Sequence, residues 1–419
     1  MAFNLLKVTV SDTFGSKVAG ATVRGPQGKW STDSQGVALL IIGPNDSSTS
    51  VTVSRDSFVD KSTIANIVAG QMNELPVTLE RARSAAGGSL TSRSGFLPVA
   101  DATGQQMTFE IELVVVDGDS RPVETLTIAD FTLRSCTPDP TNDRIDCVQG
   151  DVDVAYAPVM LTPEASELIP GGAARPYAAA MLLDQSGSIL QSDPTGGRLF
   201  SAKSFLIGLG SDDHALLAAF AGGPGATIPT PPLAVYGQFK DRASAPSYFS
   251  TLDSLASLVG GNTPLYESLD ALRQQSVSDA SLPAGLAKAV LIFTDGADTT
   301  CGSLEACRMR REQSIRSAND DQVRLFTIGL SSSVDLVALG ELANQTGGAL
   351  LYADTPEQLL PLYGSVGKLL SLSLPTYRLR WTVQAGSAGV FRSGSTLLGR
   401  AQVTVAARTF DVPFIVGIP

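Results

Sequence analysis

The stretch Ala178-Ala-Ala-Met181-Leu-Leu-Asp184-Gln-Ser186-Gly-Ser188 is an apolar run of strand length that ends in a carboxylate, two hydroxyls and a glycine. A strand that is apolar at every position has no solvent face, so it belongs inside a sheet covered on both sides. Working outward, Ala215 to Phe220, Leu233 to Phe239, Ala289 to Phe293, Val323 to Ile328 and Ala349 to Tyr352 repeat the pattern. Helical spacing separates them. Leu199, Phe200, Lys203, Phe205, Leu206 and Leu209 fall on one helical face, and residues 334–345 have the same character before Gly347-Gly348. Thr355-Pro356-Glu357-Gln358 supplies an N-cap, a first-turn proline and a capping-box glutamine, predicting a helix to about Leu372 with a kink near Pro361. Strand and helix alternate over 174–372, which predicts a doubly wound α/β domain with its ligand site beyond the carboxyl ends of the strands.

The flanks read differently. Over 1–80, short alternating runs such as Val18 to Val23 and Val37 to Ile42 are punctuated by turns such as Asp33-Ser-Gln-Gly36, an all-β pattern. Residues 81–97, with Ala85-Ala-Gly-Gly88-Ser-Leu-Thr-Ser-Arg-Ser, read as a solvated linker. A second β unit starts at Met107 to Val116, where Phe109, Ile111, Leu113 and Val115 alternate with residues of exposed type. It is too thin alone, and Tyr377 to Val383, Ala401 to Ala406 and Phe410 to Val416 supply further strands. The expected organisation is multidomain: a β-sandwich at 1–80, a second sandwich from 98–173 plus 373–419, and an inserted α/β domain at 174–372 that folds alone.

Composition bounds the function. A chain of 419 residues is about three times a ~150-residue domain, and 43% hydrophobic with 17% charged residues excludes disorder. The net charge of -11 disfavours nucleic acid as a partner. No apolar run reaches the ~20 residues of a transmembrane helix, so no transmembrane segment is expected. Met1 to Lys7 lacks the features of a signal peptide, although a chain whose signal had been removed would read the same. Cys136 with Cys147, and Cys301 with Cys307, are spaced for two local disulfides, each worth roughly 2 to 3 kcal/mol and suited to an oxidising compartment. Four reduced, buried thiols are the alternative. Zinc is disfavoured because the chain has no CxxC pair and one histidine, His214.

Two further segments accompany the first. A later strand ends in Phe293-Thr294-Asp295-Gly296-Ala-Asp298, and Gly260-Gly-Asn-Thr263-Pro264-Leu-Tyr266-Glu267 stands between them. Together they resemble the metal-ion-dependent adhesion site (MIDAS) of von Willebrand factor A (vWA) domains. Asp184, Ser186 and Ser188 match its first loop, Thr263 its second and Asp295 its third. An Asp-x-Ser-x-Ser pattern alone is weak, arising by chance roughly 0.3 times in such a chain. Asp46-Ser-Ser48-Thr-Ser50 fits it too, but lies among β signals without partner loops and reads as a turn. Residues 114–133 and Tyr377-Arg-Leu379 resemble the flanks of bacterial vWA-related proteins, and the first β unit resembles transthyretin-like or Cna-B-like stalk modules.

The resemblance implies a divalent ion, magnesium or manganese with calcium as a third candidate, held by hard oxygen ligands. Two aspartates balance its charge and leave a position for an Asp or Glu of a protein partner. Asp298 is a candidate for the outer part of the site, and Tyr266 and Glu267 for partner contact; packing and capping are the alternatives. The expected function is metal-dependent protein binding or adhesion, extracellular or at a bacterial cell surface, with the periplasm as the other compartment. A structural or assembly subunit that uses the ion for docking is the alternative. A hydrolase built on Ser186 or Ser188 with His214 lacks the Gly-x-Ser-x-Gly elbow, and no enzymatic activity is expected.

Overall fold

The computed structural model describes residues 4–90, 97–133, 137–139, 144–146 and 159–419, which form two compact units, Met1–Arg83 and Ser84–Pro419. Cys136 and Cys147 lie outside the described residues. In the first unit Asn4–Asp12 pairs antiparallel with Val37–Ile42 and parallel with Met72–Leu79, and a second sheet runs in the order Gly28–Ser31, Thr22–Gly25, Ser48–Ser54, Lys61–Asn66. Alternation explains the packing: Leu6, Val8 and Val10 share one core with Val23, Leu40, Val51, Val53 and Val77, while their neighbours along the strands point outward. Ser48 and Ser50 lie on the strand Ser48–Ser54 of this all-β unit.

The second unit is organised by a sheet of 12 strands among the described residues. Its parallel part runs His214–Phe220, Tyr177–Asp184, Ala287–Thr294, Val323–Leu330, Leu350–Ala353. Every residue of Tyr177–Asp184 is buried, as the apolar run requires. One face is covered by the helices Gly197–Ile207, Phe249–Leu255 and Pro356–Leu370, the other by Leu265–Ser278, Leu304–Asp320 and Leu336–Gln345. The last of the first group runs unbroken through Pro361. That proline cannot donate to the Glu357 carbonyl, which accepts the Ser84 N–H instead at 3.3 Å.

The segment expected to be a linker is corrected by the structure. Ala86–Ser89 is a buried strand that pairs antiparallel with Leu350–Ala353 on one side and with Gln106–Val116 on the other. It joins the parallel half of the sheet to an antiparallel half in which Gln106–Val116 pairs with Thr376–Ala385, and that strand with Val159–Ile169. The Gly87-Gly88 pair is what makes this possible. A Cβ on Gly87 would sit 2.6 Å from the Val114 carbonyl oxygen and 2.8 Å from Val412, and one on Gly88 would strike the Leu351 side chain and lie 2.8 Å from the Leu350 carbonyl. Composition pointed to solvent, but the same lack of side chains lets a backbone be hydrogen-bonded on both edges with layers packed on both faces.

The region 174–372 therefore shares its core with its flanks. Ala86, Leu90, Val114 and Val116 sit in the cluster that contains Met181 and Phe293, and Leu398 and Ile415 of the hairpin Thr396–Val405 and Arg408–Gly417 sit in the cluster of the opposite face. Removed from its flanks, 174–372 would leave the edge of Leu350–Ala353 unpaired, so the expected boundaries cut through one sheet and its core. Glu110 and Glu112, expected to face solvent, are buried on the strand Gln106–Val116; Arg380 Nε donates to Glu110 at 2.9 Å and Arg378 Nη2 to Glu112 at 2.9 Å. We expect Gly88→Val to lower the urea midpoint of the second unit by the equivalent of about 3 kcal/mol, since the added side chain would overpack against the Leu351 side chain and the Leu350 carbonyl. Gly417→Ala, which meets nothing within 4 Å, should leave it unchanged.

Candidate metal centre

The strands Tyr177–Asp184 and Ala287–Thr294 are parallel neighbours, so Asp184 and Asp295 emerge side by side at their carboxyl ends. Asp184 is fully buried, and its Oδ1 accepts the Ser186 N–H at 2.7 Å while its Oδ2 accepts the Thr294 hydroxyl at 2.6 Å. The Ser186 and Ser188 hydroxyls are 3.1 Å apart. Ser188 Oγ donates to Asp295 Oδ1 at 2.8 Å, and Ser192 Oγ to Asp295 Oδ2 at 2.5 Å. Asp184, Ser186, Ser188 and Asp295 thus form one cluster of oxygens.

The loop that carries Thr263 meets the serine loop through the backbone of Gly260 and Gly261. The Gly187 N–H donates to the Gly261 carbonyl at 3.0 Å, so the loop before Thr263 lies directly on the serine loop. Gly261 has a φ of +86°, and a Cβ there would stand 2.9 Å from the Ala226 backbone. Thr263 is 4% exposed and is clasped by Thr299, whose Oγ1 accepts the Thr263 N–H at 2.9 Å and whose N–H donates to the Thr263 carbonyl at 3.1 Å. Among the described residues, its hydroxyl takes part in none of the hydrogen bonds that join the other four.

Solved structures with some likeness to this chain include a von Willebrand factor type A protein from Catenulispora acidiphila, 12% identical with a TM-score of 0.36 over 80% of this chain and 74% of that one. A pilus adhesin from Lactobacillus rhamnosus GG is 11% identical with a TM-score of 0.37, over 69% of this chain and 48% of the adhesin, so this chain spans about half of it. A manganese-loaded TRAP protein from Plasmodium vivax is 13% identical with a TM-score of 0.36, over 61% and 96% of the two chains. No family model matches the chain, and no curated protein matches it.

The remaining candidates take local roles. Asp298 Oδ2 accepts the N–H of Tyr266 in the first turn of Leu265–Ser278 at 3.0 Å, and its Oδ1 accepts the Thr300 N–H at 2.7 Å, so this carboxylate caps a helix and shapes its loop. Tyr266 is 3% exposed with its ring in the core, which is the packing alternative and not partner contact. Glu267 is exposed beside it. Cys301 and Cys307 are joined in a disulfide that pins the loop after Thr299 to the next helix, where Ser303 Oγ caps the Ala306 N–H at 3.1 Å. Both sulfurs being bonded, they cannot act as thiolate ligands together with Asp298. His214 begins the strand His214–Phe220, whereas Asp184 pairs with Phe220 at its far end, about 20 Å away along the strand. No Ser–His pair forms at the site.

Two residues that pattern reading passed over belong to the cluster. Thr294 was read as the end of a strand, yet it donates to the buried carboxylate; Ser192 stands one helical turn beyond Ser188, and that spacing is the signal that could have found it. Burial pushes the Asp184 carboxyl up to about 6, the bonds from Thr294 and Ser186 pull it down, and the neighbouring Asp295 charge raises it further. A carboxyl that binds its proton more tightly folded than unfolded contributes full stability below its unfolded value of 3.8, and that contribution is lost as pH rises through about 6. The metal-free protein should lose about 2 kcal/mol from this source between pH 4 and 7. Asp184→Asn should flatten that slope in chemical denaturation, raising stability at pH 7.

Proposed function

We propose that the loops bearing Asp184, Ser186, Ser188, Thr263 and Asp295 hold a divalent cation, and that the protein uses it to bind a carboxylate of a protein partner. The observation that carries this reading is the buried Asp184 carboxylate beside Asp295, with serine hydroxyls between them and, among the described residues, no lysine or arginine paired to either. Two converging carboxylates repel each other, and a cation relieves that repulsion together with the cost of burial. The donor set fits: carboxylate and hydroxyl oxygens are hard ligands, suited to magnesium or manganese and also to calcium. Bound there, such an ion supplies an electron-poor position that an Asp or Glu side chain can occupy, stronger in attraction than a surface ammonium.

The function that follows is adhesion or docking rather than turnover. The acidic cluster sits at strand ends, where loops face outward, and the Cys301–Cys307 disulfide suits an oxidising, extracellular or cell-surface location.

The test is direct. Manganese and magnesium titrated calorimetrically into the folded protein should bind and raise its thermal midpoint. Asp184→Ala and Asp295→Ala should each weaken binding at least tenfold, and partners retained from a native surface extract in magnesium should be released by chelator. Absence of divalent binding to folded wild-type protein would overturn the reading.

A further inference from the structure

Gln185 stands between two of the site's residues and touches none of the oxygens described so far. It is fully buried. Its N–H donates to the Phe220 carbonyl at 2.9 Å and its carbonyl accepts the Gly260 N–H at 2.8 Å, so its backbone ties the serine loop to the neighbouring strand and to the Thr263 loop. Its side chain turns inward, where Oε1 accepts from Arg198 Nη2 at 2.8 Å. Arg198 Nη1 in turn donates to Asp193 Oδ2 at 2.9 Å, and the two side chains are 2% and 0% exposed.

These contacts close a ring. Asp193 ends the short helix Ile189–Ser192 that begins directly after Ser188, and its carboxylate also accepts the N–H groups of Gly197 at 2.6 Å and Arg198 at 3.0 Å. The chain therefore runs from Gln185 through Ser186 and Ser188 to Asp193, and the side chains return from Asp193 through Arg198 to Gln185. The segment carrying both serine hydroxyls is held at each end by one buried guanidinium. Gly197 sits where a Cβ would meet Asp193 Oδ1 at 3.1 Å and Pro356 at 3.2 Å, so a larger residue there would press on the ring's carboxylate.

A wholly buried ion pair is a poor way to gain stability, since its desolvation offsets much of its attraction and apolar residues of equal volume serve as well. It does impose geometry, because a planar guanidinium bonded on two edges fixes both acceptors. We propose that Gln185 and Arg198 are positioning residues that hold the loop 184–188 in its ligand-bearing shape before any ion arrives, sparing the ion the cost of ordering it. The proposal rests on the divalent-site reading above.

The test uses two variants of the full chain. Gln185→Met keeps length and leaves the Arg198–Asp193 pair intact but removes the acceptor; Gln185→Glu restores an acceptor for Arg198. Each is read by manganese affinity and by amide hydrogen exchange at Gly187 and Gly260 in the metal-free protein, with the thermal midpoint recorded alongside. We expect Gln185→Met to weaken manganese binding at least tenfold and to speed exchange at both amides at least tenfold, while Gln185→Glu binds no more than threefold more weakly than wild type. Wild-type affinity in Gln185→Met, whatever its exchange rates, or equal weakening in both variants, would overturn the proposal. If the wild-type protein binds no manganese, the divalent reading fails by itself, and exchange at Gly187 and Gly260 still decides whether the ring holds the loop.

Discussion

A backbone hydrogen-bonded along both edges and covered on both faces has almost no room for side chains, and the second unit depends on one such strand. Ala86–Ser89 lies between Leu350–Ala353 and Gln106–Val116, and its two central glycines face the Val114 carbonyl, Val412 and Leu351. Without it the parallel half of the sheet would end in an open edge at Leu350–Ala353, and the antiparallel half would lose its connection to the core. With it, the two halves form one sheet, and the apolar residues of the flanks enter the clusters that also bury the central strand.

That shared core is what fixes the site. Asp184 and Asp295 converge because their strands are adjacent and parallel, and the strands are rigid because helices cover both faces. Burial gives Asp184 the raised carboxyl that marks the position as costly to leave uncompensated. The loops add little apolar burial of their own and are held by hydrogen bonds: Gly187 to Gly261, Gly260 to Gln185, Thr263 to Thr299. A centre assembled this way owes its geometry to hydrogen bonds between three separate segments: backbone bonds join the serine loop to the Thr263 loop, and side-chain bonds from Ser188, Ser192 and Thr294 join the serine loop to the Asp295 segment.

Much of this was legible along the chain. The unbroken apolar runs named the covered strands and the helical spacing named their partners, whereas Asp184, Ser186, Ser188 and Asp295 were singled out by their resemblance to a known motif, with the strand ends supplying only its place. Glu110 and Glu112 were misread because alternation marks a half-exposed strand; nothing local shows that Arg378 and Arg380 on another strand pair with them and allow burial. For Tyr266 the sequence left partner contact and packing both open, because the direction of its ring depends on the rotation of the helix Leu265–Ser278 against the sheet, which is set by packing.

By itself, then, the sequence determined the period of each element and the chemistry available at its ends, because both are local properties of neighbouring residues. Tertiary structure alone decided which ends meet, that Gly87 and Gly88 form an interior strand, and that Gln185, Asp193 and Arg198 close a ring beneath the serine loop. Those outcomes depend on contacts between residues far apart in the chain or turned inward from a loop. Glycine in particular carries no local sign of its role, since the missing side chain suits a solvated turn and a crowded interior equally well.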